Sequence, residues 1–315
     1  MTTIFYASDL HGSEVCFKKF TNAARFYKAD VLILGGDLTA KMVIPIVEFG
    51  NGIFKATLLG KKQTATNREE LEDLEARINA NGFYSYRCGL DELDALNSSK
   101  EKQHELFRKA IIDSLKNWID LAEKRLVNSG VECYIMAGND DDPAVVDVLN
   151  ASPFIVNPEG RKLKVAGEYE MVSLGFSNRT PFDSPRELDE SDLYEKIVEQ
   201  AGLLENPQKA IFNLHCPPYD SGLDLAPKLT PDMEMVMSAG QPVMIPVGST
   251  SVRSAIEEFQ PLLGLHGHVH ESRGAARIGR TLCLNPGSEY VASVLRGVIV
   301  KLAGEQIEGY QFVSG

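Results

Sequence analysis

Long apolar runs are missing from this chain. Nowhere do about 18 or more apolar residues follow one another, so no segment has the length a membrane helix needs. The stretch from Met1 to Asp9 has no basic region and only a short apolar run, which reads as a first strand and not as a secretory signal; a cytoplasmic protein is the expectation. Cysteine is sparse as well. Five residues (Cys16, Cys88, Cys133, Cys216 and Cys283), odd in number, scattered and without a Cys-x-x-Cys pair, fit neither a disulfide framework nor a structural zinc knuckle, and reduced thiols are expected. Positive charge is in deficit: 32 Lys and Arg against 44 Asp and Glu give a formal charge of -12, and no Lys/Arg-dense stretch could track a phosphate backbone. Nucleic acid is therefore not the expected partner, although a metal site could make one spot positive enough for a single phosphate. The glycine fingerprint of dinucleotide sites, the phosphate loop ending in Lys-Ser/Thr and the Gly-x-Ser-x-Gly elbow are all absent, which removes the common dinucleotide, nucleotide-triphosphate and serine-hydrolase readings.

What is present is an ordinary folded composition, 43% hydrophobic and 24% charged, over 315 residues without internal repeats or low-complexity segments. Apolar runs at Thr3 to Ala7 and Val31 to Leu34 flank a helical pattern from about Ser13 to Tyr27, a βαβ unit whose functional residues belong at the strands' C-terminal ends. Met42 to Leu59 reads as extended segments around Gly50-Asn51-Gly52. From Asn67 to Asn128 the residues turn to Glu, Leu, Lys and Ala with helical spacing. The expectation is one α/β unit over residues 1–315 with a helical insertion at about 60–130. Strands resume at Val131 to Met136, Lys162 to Val165, Met171 to Leu174 and Ala210 to Leu214. Helices are expected at Ala144 to Leu149, near Leu188 to Ala201, and at Ser251 to Phe259 with Ser249 or Thr250 as N-cap. Pro217 to Pro246 reads as a long loop, and the tail from Leu262 onward is rich in strands.

Five of the six histidines stand at the ends of expected strands, His11, His215, His266, His268 and His270, and all but His215 are beside a carboxylate or a glycine. His104 lies in a helical pattern and reads as a solvated or packing residue. Asp9-Leu10-His11 places a carboxylate and an imidazole two residues apart, able to point to one side. Gly35-Gly36-Asp37 allows a tight turn before a carboxylate, Gly138-Asn139 offers a neutral amide oxygen, His215 ends a further strand, and Gly267-His268-Val269-His270 supplies two imidazoles from one loop. Each signal is weak alone. Their order, one after another at strand ends, is the informative feature, because oxygen and nitrogen ligands on one rim of a sheet suit borderline metal ions.

That ordered set, spanning residues 9 to 270, resembles the calcineurin-like metallophosphoesterases, and Asn285-Pro286-Gly287-Ser288 with His266 to Ser272 is similar to a bacterial and archaeal subgroup of them. The resemblance implies a β-sandwich core flanked by helices. It implies one metal on Asp9, His11 and His270, a second on Asn139, His215 and His268, and Asp37 bridging them. It further implies a metal-dependent phosphoester hydrolase, phosphodiesterase or pyrophosphatase-like, in which a bridging water or hydroxide attacks phosphorus in line. Two divalent ions, manganese, iron or zinc, are the implied cofactors, and a small phosphoester is the implied substrate. Oligomeric state is left open.

The sequence departs from that family at one place. Many members carry a histidine directly after the motif asparagine to protonate the leaving oxygen; here Asp140 stands there, followed by Asp141 and Asp142. A carboxyl beside two dications stays ionised and is a poor proton donor, so leaving groups that need little protonation are expected. His266 is the alternative proton donor, set against a supporting role behind the metal loop. Asn178, Arg179 and Arg273 are candidate substrate contacts, with a surface role as the alternative. Cys216 reads as a small buried residue beside His215, and Asp141 or Asp142 as a cap for the following helix. Two other functional classes remain: a scaffold that keeps the fold without the chemistry, and a nuclease. A protein phosphatase is disfavoured, since the Asn-His-Glu form of the third motif is absent.

Overall fold

The computed structural model describes residues 1–315. Two sheets face each other. The first runs in the order Gln306–Ser314, Arg296–Ala303, Thr2–Ala7, Val31–Leu34 and Glu132–Ile135, with the last three strands parallel. The second runs Gly274–Ile278, Thr281–Asn285, Leu263–Leu265, Ile211–Leu214, Tyr169–Leu174 and Leu163–Val165, parallel in its centre and antiparallel at both edges.

Alternation along each strand builds the layers. Ile4, Tyr6, Val31 and Ile33 point from the first sheet toward Met171, Ile211, Leu263 and Leu265 of the second, and together they form the buried sandwich interior. The opposite face of the first sheet, through Phe5, Ala7, Leu32 and Leu34, packs under the helices Glu14–Phe26, Lys100–Leu126 and Ala144–Asn150. Phe17 stacks on Trp118 with ring centroids 4.2 Å apart, pinning the first helix to the long one. The outer face of the second sheet, through Val172, Leu174, Phe212 and Leu214, is covered by the helices Glu190–Ala201 and Thr250–Phe259. The result is helix, sheet, sheet, helix, an arrangement with both faces of each central sheet buried.

The expected helices form close to their expected bounds, and two carry their caps: Ser13 accepts from the Cys16 amide, and Ser249 accepts from Ser251 and Val252. The insertion differs from expectation. Helices do occupy Arg68–Ala80, Leu90–Asn97 and Lys100–Leu126, but strands at Lys61–Ala65 and Tyr84–Gly89 break the helical reading of residues 60–130. They join Val43–Glu48 and Phe54–Leu58 in a four-stranded sheet with its own core of Ile44, Ile46, Leu58, Leu71, Leu74 and Ile78. The insertion is thus α/β and begins at Val43, directly after the loop that carries Asp37. The Pro217 to Pro246 loop contains short pairings, Leu225–Pro227 with Met244–Pro246 and Met237–Ser238 with Gln241–Pro242.

Candidate metal centre

Every ligand candidate lies just past the C-terminal end of a parallel strand, where open α/β sheets place their sites. Asp9 and His11 follow Thr2–Ala7, Asp37 follows Val31–Leu34, Asn139 follows Glu132–Ile135, His215 follows Ile211–Leu214, and His268 and His270 follow Leu263–Leu265. Facing strand ends from both sheets thereby converge at one edge of the sandwich.

The loops reach this point through uncommon backbone conformations. Asp9, His11, Asp37 and His268 have φ of 60°, 40°, 51° and 66°, in the left-handed region that most side chains avoid. Four such residues among seven candidate ligands mark a place where local strain, on the order of 1–3 kcal/mol each, is held by its surroundings. Two motif glycines are required sterically. A Cβ on Gly36, at φ +117°, would lie 2.6 Å from His215 Nδ1, and one on Gly138 would lie 2.1 Å from Asp37 Oδ1.

Two clusters result, Asp9, His11, Asp37 and His270, and Asp37, His215 and His268, with Asp37 common to both. Asp37 Oδ2 is 3.6 Å from His11 Nε2, while its Oδ1 is 3.4 Å from His215 Nε2, so its oxygens face different clusters. Asp9 Oδ1 lies 3.5 Å from His270 Nε2. Asn139 Oδ1 stands 3.0 Å from His215 Nε2 and 2.8 Å from His268 Nδ1, which adds an amide oxygen to the second cluster. The seven residues predicted as ligands are therefore brought together.

The donor set fits a cation. The carbonyl of Gly35, 2.8 Å from His215 Nδ1, can only accept, so that nitrogen carries the hydrogen and Nε2 turns its lone pair on Asn139 Oδ1 and Asp37 Oδ1. Lone pair against lone pair is stable only with a positive group between, and a ligating imidazole that donates its other N–H to a backbone carbonyl is the usual support for a metal. His11 Nε2 and His270 Nε2 lie 3.1 Å apart, so two imidazole nitrogens meet at the first cluster. The electrostatics agree. Burial works against a charged His215, but Asp37 and Asp9 outweigh it and raise the ring to about 9, the proton answering the same demand that an ion would. Burial would also raise Asp9 and Asp37, yet His270 and His215 hold Asp9 at about 2, and His215 and His11 hold Asp37 well below the usual carboxylate range. Burial pushes His11 and His268 down to about 4, keeping them neutral and able to ligate.

Further residues hold the loops. Asn285 donates to the carbonyls of Gly267 and Val269 at 3.2 and 3.0 Å, and Ser288 donates to the Asp9 carbonyl at 2.6 Å, which gives the Asn285 to Ser288 stretch a structural purpose. Asp141 is sealed from solvent and does not cap a helix. Its carboxylate accepts from the amides of Leu38, Thr39 and Gly138 and from the Thr39 hydroxyl, tying the Asp37 loop to the Asn139 loop. Asp142 takes the capping role, accepting from Ala144 N at 2.8 Å.

The remaining predicted residues divide. Asp140 is at the site: its amide donates to Asp37 Oδ1 at 3.0 Å. Its carboxylate accepts from the Ser184 hydroxyl at 2.5 Å and pairs with the Lys41 ammonium at 2.8 Å. Lys41 was not singled out from the sequence. Nothing in its local pattern marks it, because its partner lies about a hundred residues further on. His266 is fully buried, with Nδ1 donating to the carbonyls of Leu214 and Cys216 on either side of His215, the position of a support behind the ligand loop. Asn178 accepts from the Cys216 thiol and donates to Val247 O, next to His215 but already engaged. Arg179 is bound to Asp189 at 2.9 Å on the surface, and Arg273 lies over Phe312 near the C-terminal strand; neither is turned to the cluster. Cys216 is buried, its thiol is turned to Asn178 Oδ1, and it belongs to neither cluster.

Comparison with known proteins agrees with this architecture. No family model matches the sequence. Uncharacterized protein MJ1162 of Methanocaldococcus jannaschii is 32% identical over 174 residues, 54% of this chain and 71% of that protein. TT1561 of Thermus thermophilus shares the fold at a TM-score of 0.53 with 13% identity, covering 100% of this chain and 98% of the other. A further crystal structure aligns at a TM-score of 0.56 with 16% identity over 97% of each chain. The two-sheet sandwich with helices outside is the metallophosphoesterase-type fold. The chain belongs to the same family as MJ1162. On that fold the paired clusters are candidate metal sites.

Proposed function

We propose that this chain is a phosphoester hydrolase with a dinuclear centre, one metal on Asp9, His11 and His270, the other on Asn139, His215 and His268, and Asp37 shared. The observation that carries the proposal is the division of the Asp37 oxygens, one toward His11 and one toward His215. The mixed carboxylate, amide and imidazole set suits manganese, iron or zinc, among which availability decides. Two such ions would supply a nucleophile at neutral pH and offset charge on the phosphoryl oxygens.

The protein's own residues define the rest. Asp37 and Asp9 are kept ionised by the imidazoles around them, and Asp141 holds two ligand loops in register. Asp140 already accepts from Ser184 and Asn139 and is paired with Lys41, so it serves as an acceptor and brings no proton to a leaving oxygen. Small substrates with acidic leaving groups, such as aryl diesters or pyrophosphates, fit this arrangement. The test is a leaving-group series on metal-restored protein. Rates for bis(p-nitrophenyl) phosphate well above those for alkyl monoesters are expected; comparable rates would contradict the role given to Asp140.

A further inference from the structure

Lys41 has a second neighbourhood. The loop that carries Asp37 runs through Lys41 into the strand Val43–Glu48, and beside that junction lies a cavity of about 280 Å³. Its walls include Lys41, Met42, Val43, Leu93, Leu96 and Phe107, so one charged group stands at the rim of an otherwise largely apolar recess. Apart from Met42, which directly precedes it, the apolar walls belong to the insertion: Val43 opens its first strand, Leu93 and Leu96 come from the helix Leu90–Asn97, and Phe107 from Lys100–Leu126. These side chains are half-buried or exposed, not core. The ammonium of Lys41 points the other way, to Asp140, whose own amide is bonded to Asp37. Lys41 thus joins the rim of the recess to Asp140, and through it to Asp37.

We propose that this recess is a leaving-group subsite, which takes the apolar body of the esterifying alcohol while Lys41 contacts a phosphoester oxygen. The substrate class follows: phosphoesters of an apolar alcohol about the size of one aromatic ring, since the cavity is at the small end of the roughly 300–1,000 Å³ of small-molecule sites. This rests on the hydrolase reading and narrows it. An aryl or enol-like alcohol also leaves without a protonated partner, in keeping with Asp140. The charge of Lys41 is felt at the rings of His11, His270 and Tyr290, which keeps it within electrostatic reach of anything bound there.

The test is binding by calorimetry of two non-hydrolysable probes, phenylphosphonate and methylphosphonate, to manganese-loaded protein, its Leu96→Glu and Leu96→Met variants, and Lys41→Met. Burying a ring should favour phenylphosphonate by about tenfold or more. Leu96→Glu is expected to abolish that preference while affinity for methylphosphonate and metal content stay unchanged, Leu96→Met to restore it, and Lys41→Met to weaken both probes alike. Equal affinities in the unmodified protein, or a preference that survives Leu96→Glu, would overturn the subsite. If metal-dependent turnover of bis(p-nitrophenyl) phosphate accompanies that result, only the subsite falls; if neither turnover nor binding of either probe is seen with metals in place, both proposals fall.

Discussion

Asp141 binds no candidate metal position but ties two of the ligand loops together. Its carboxylate closes the gap between the Asp37 and Asn139 loops with bonds to Leu38, Thr39 and Gly138, and its burial raises it to about 6, with Asp37 adding to the effect. Those backbone donors favour the ionised form, so they act against both causes of the rise. Asp141→Asn should put an amide hydrogen against a backbone donor, costing about 1–3 kcal/mol in urea unfolding and weakening metal affinity. Asp142→Asn, at a partly exposed cap, is expected to cost less and to leave metal affinity unchanged. The ligand set was legible because each member follows a strand and all but His215 stand within two residues of a glycine or a second ligand. Asp141 and Lys41 were not. In the run Asp140-Asp141-Asp142 only the side-chain directions separate an ion-pair partner from a loop clasp and a cap, and direction depends on a turn whose other half lies near residue 38.

Helix ends show how one element depends on another. Glu190, at the start of its own helix, accepts from the Ser249 hydroxyl at 2.7 Å and from the amides of Thr250 and Ser251 at 3.1 and 2.9 Å, so it serves the next helix's positive end. Burial alone would raise this carboxyl, but Ser251 and Ser249 hold it below its ordinary 4.5. Its stabilisation is therefore complete above pH 4.5 and lost as pH falls through the lower folded value. Glu190→Gln is expected to lose about 1 kcal/mol at pH 7, with the gap from the unmodified protein closing below pH 4.5 in urea unfolding curves. A gap that persists at low pH would contradict this. Amphipathic helices and their caps could be read from the chain, as Ser13 and Ser249 show. The strand Tyr84–Gly89 could not, because it pairs in parallel with Val43–Glu48 across an intervening hairpin and helix. Lys61–Ala65 is mostly exposed and polar, without the alternation that marks a strand.

At the scale of the whole molecule, the sandwich brings strand ends from two sheets to one edge, and the insertion grows from the loop that supplies Asp37. Ligands from five separate strand ends mean that an ion bound there ties the sheets together. Metal at about 100 times its Kd should stabilise the fold by about 2.7 kcal/mol, so a chelator is expected to lower Tm, and Asp37→Ala to show little response. The two-sheet order was implied by resemblance, whereas the insertion's own sheet and the recess beside Lys41 depend on contacts between segments far apart in sequence.

The most direct test of the dinuclear hydrolase is a manganese titration of metal-stripped protein, read as hydrolysis of bis(p-nitrophenyl) phosphate. Turnover that rises and levels off at about two ions per chain, and that Asp37→Ala lacks, is the expected result. Saturation with bound manganese but no turnover, or full turnover at about one ion per chain, would contradict it.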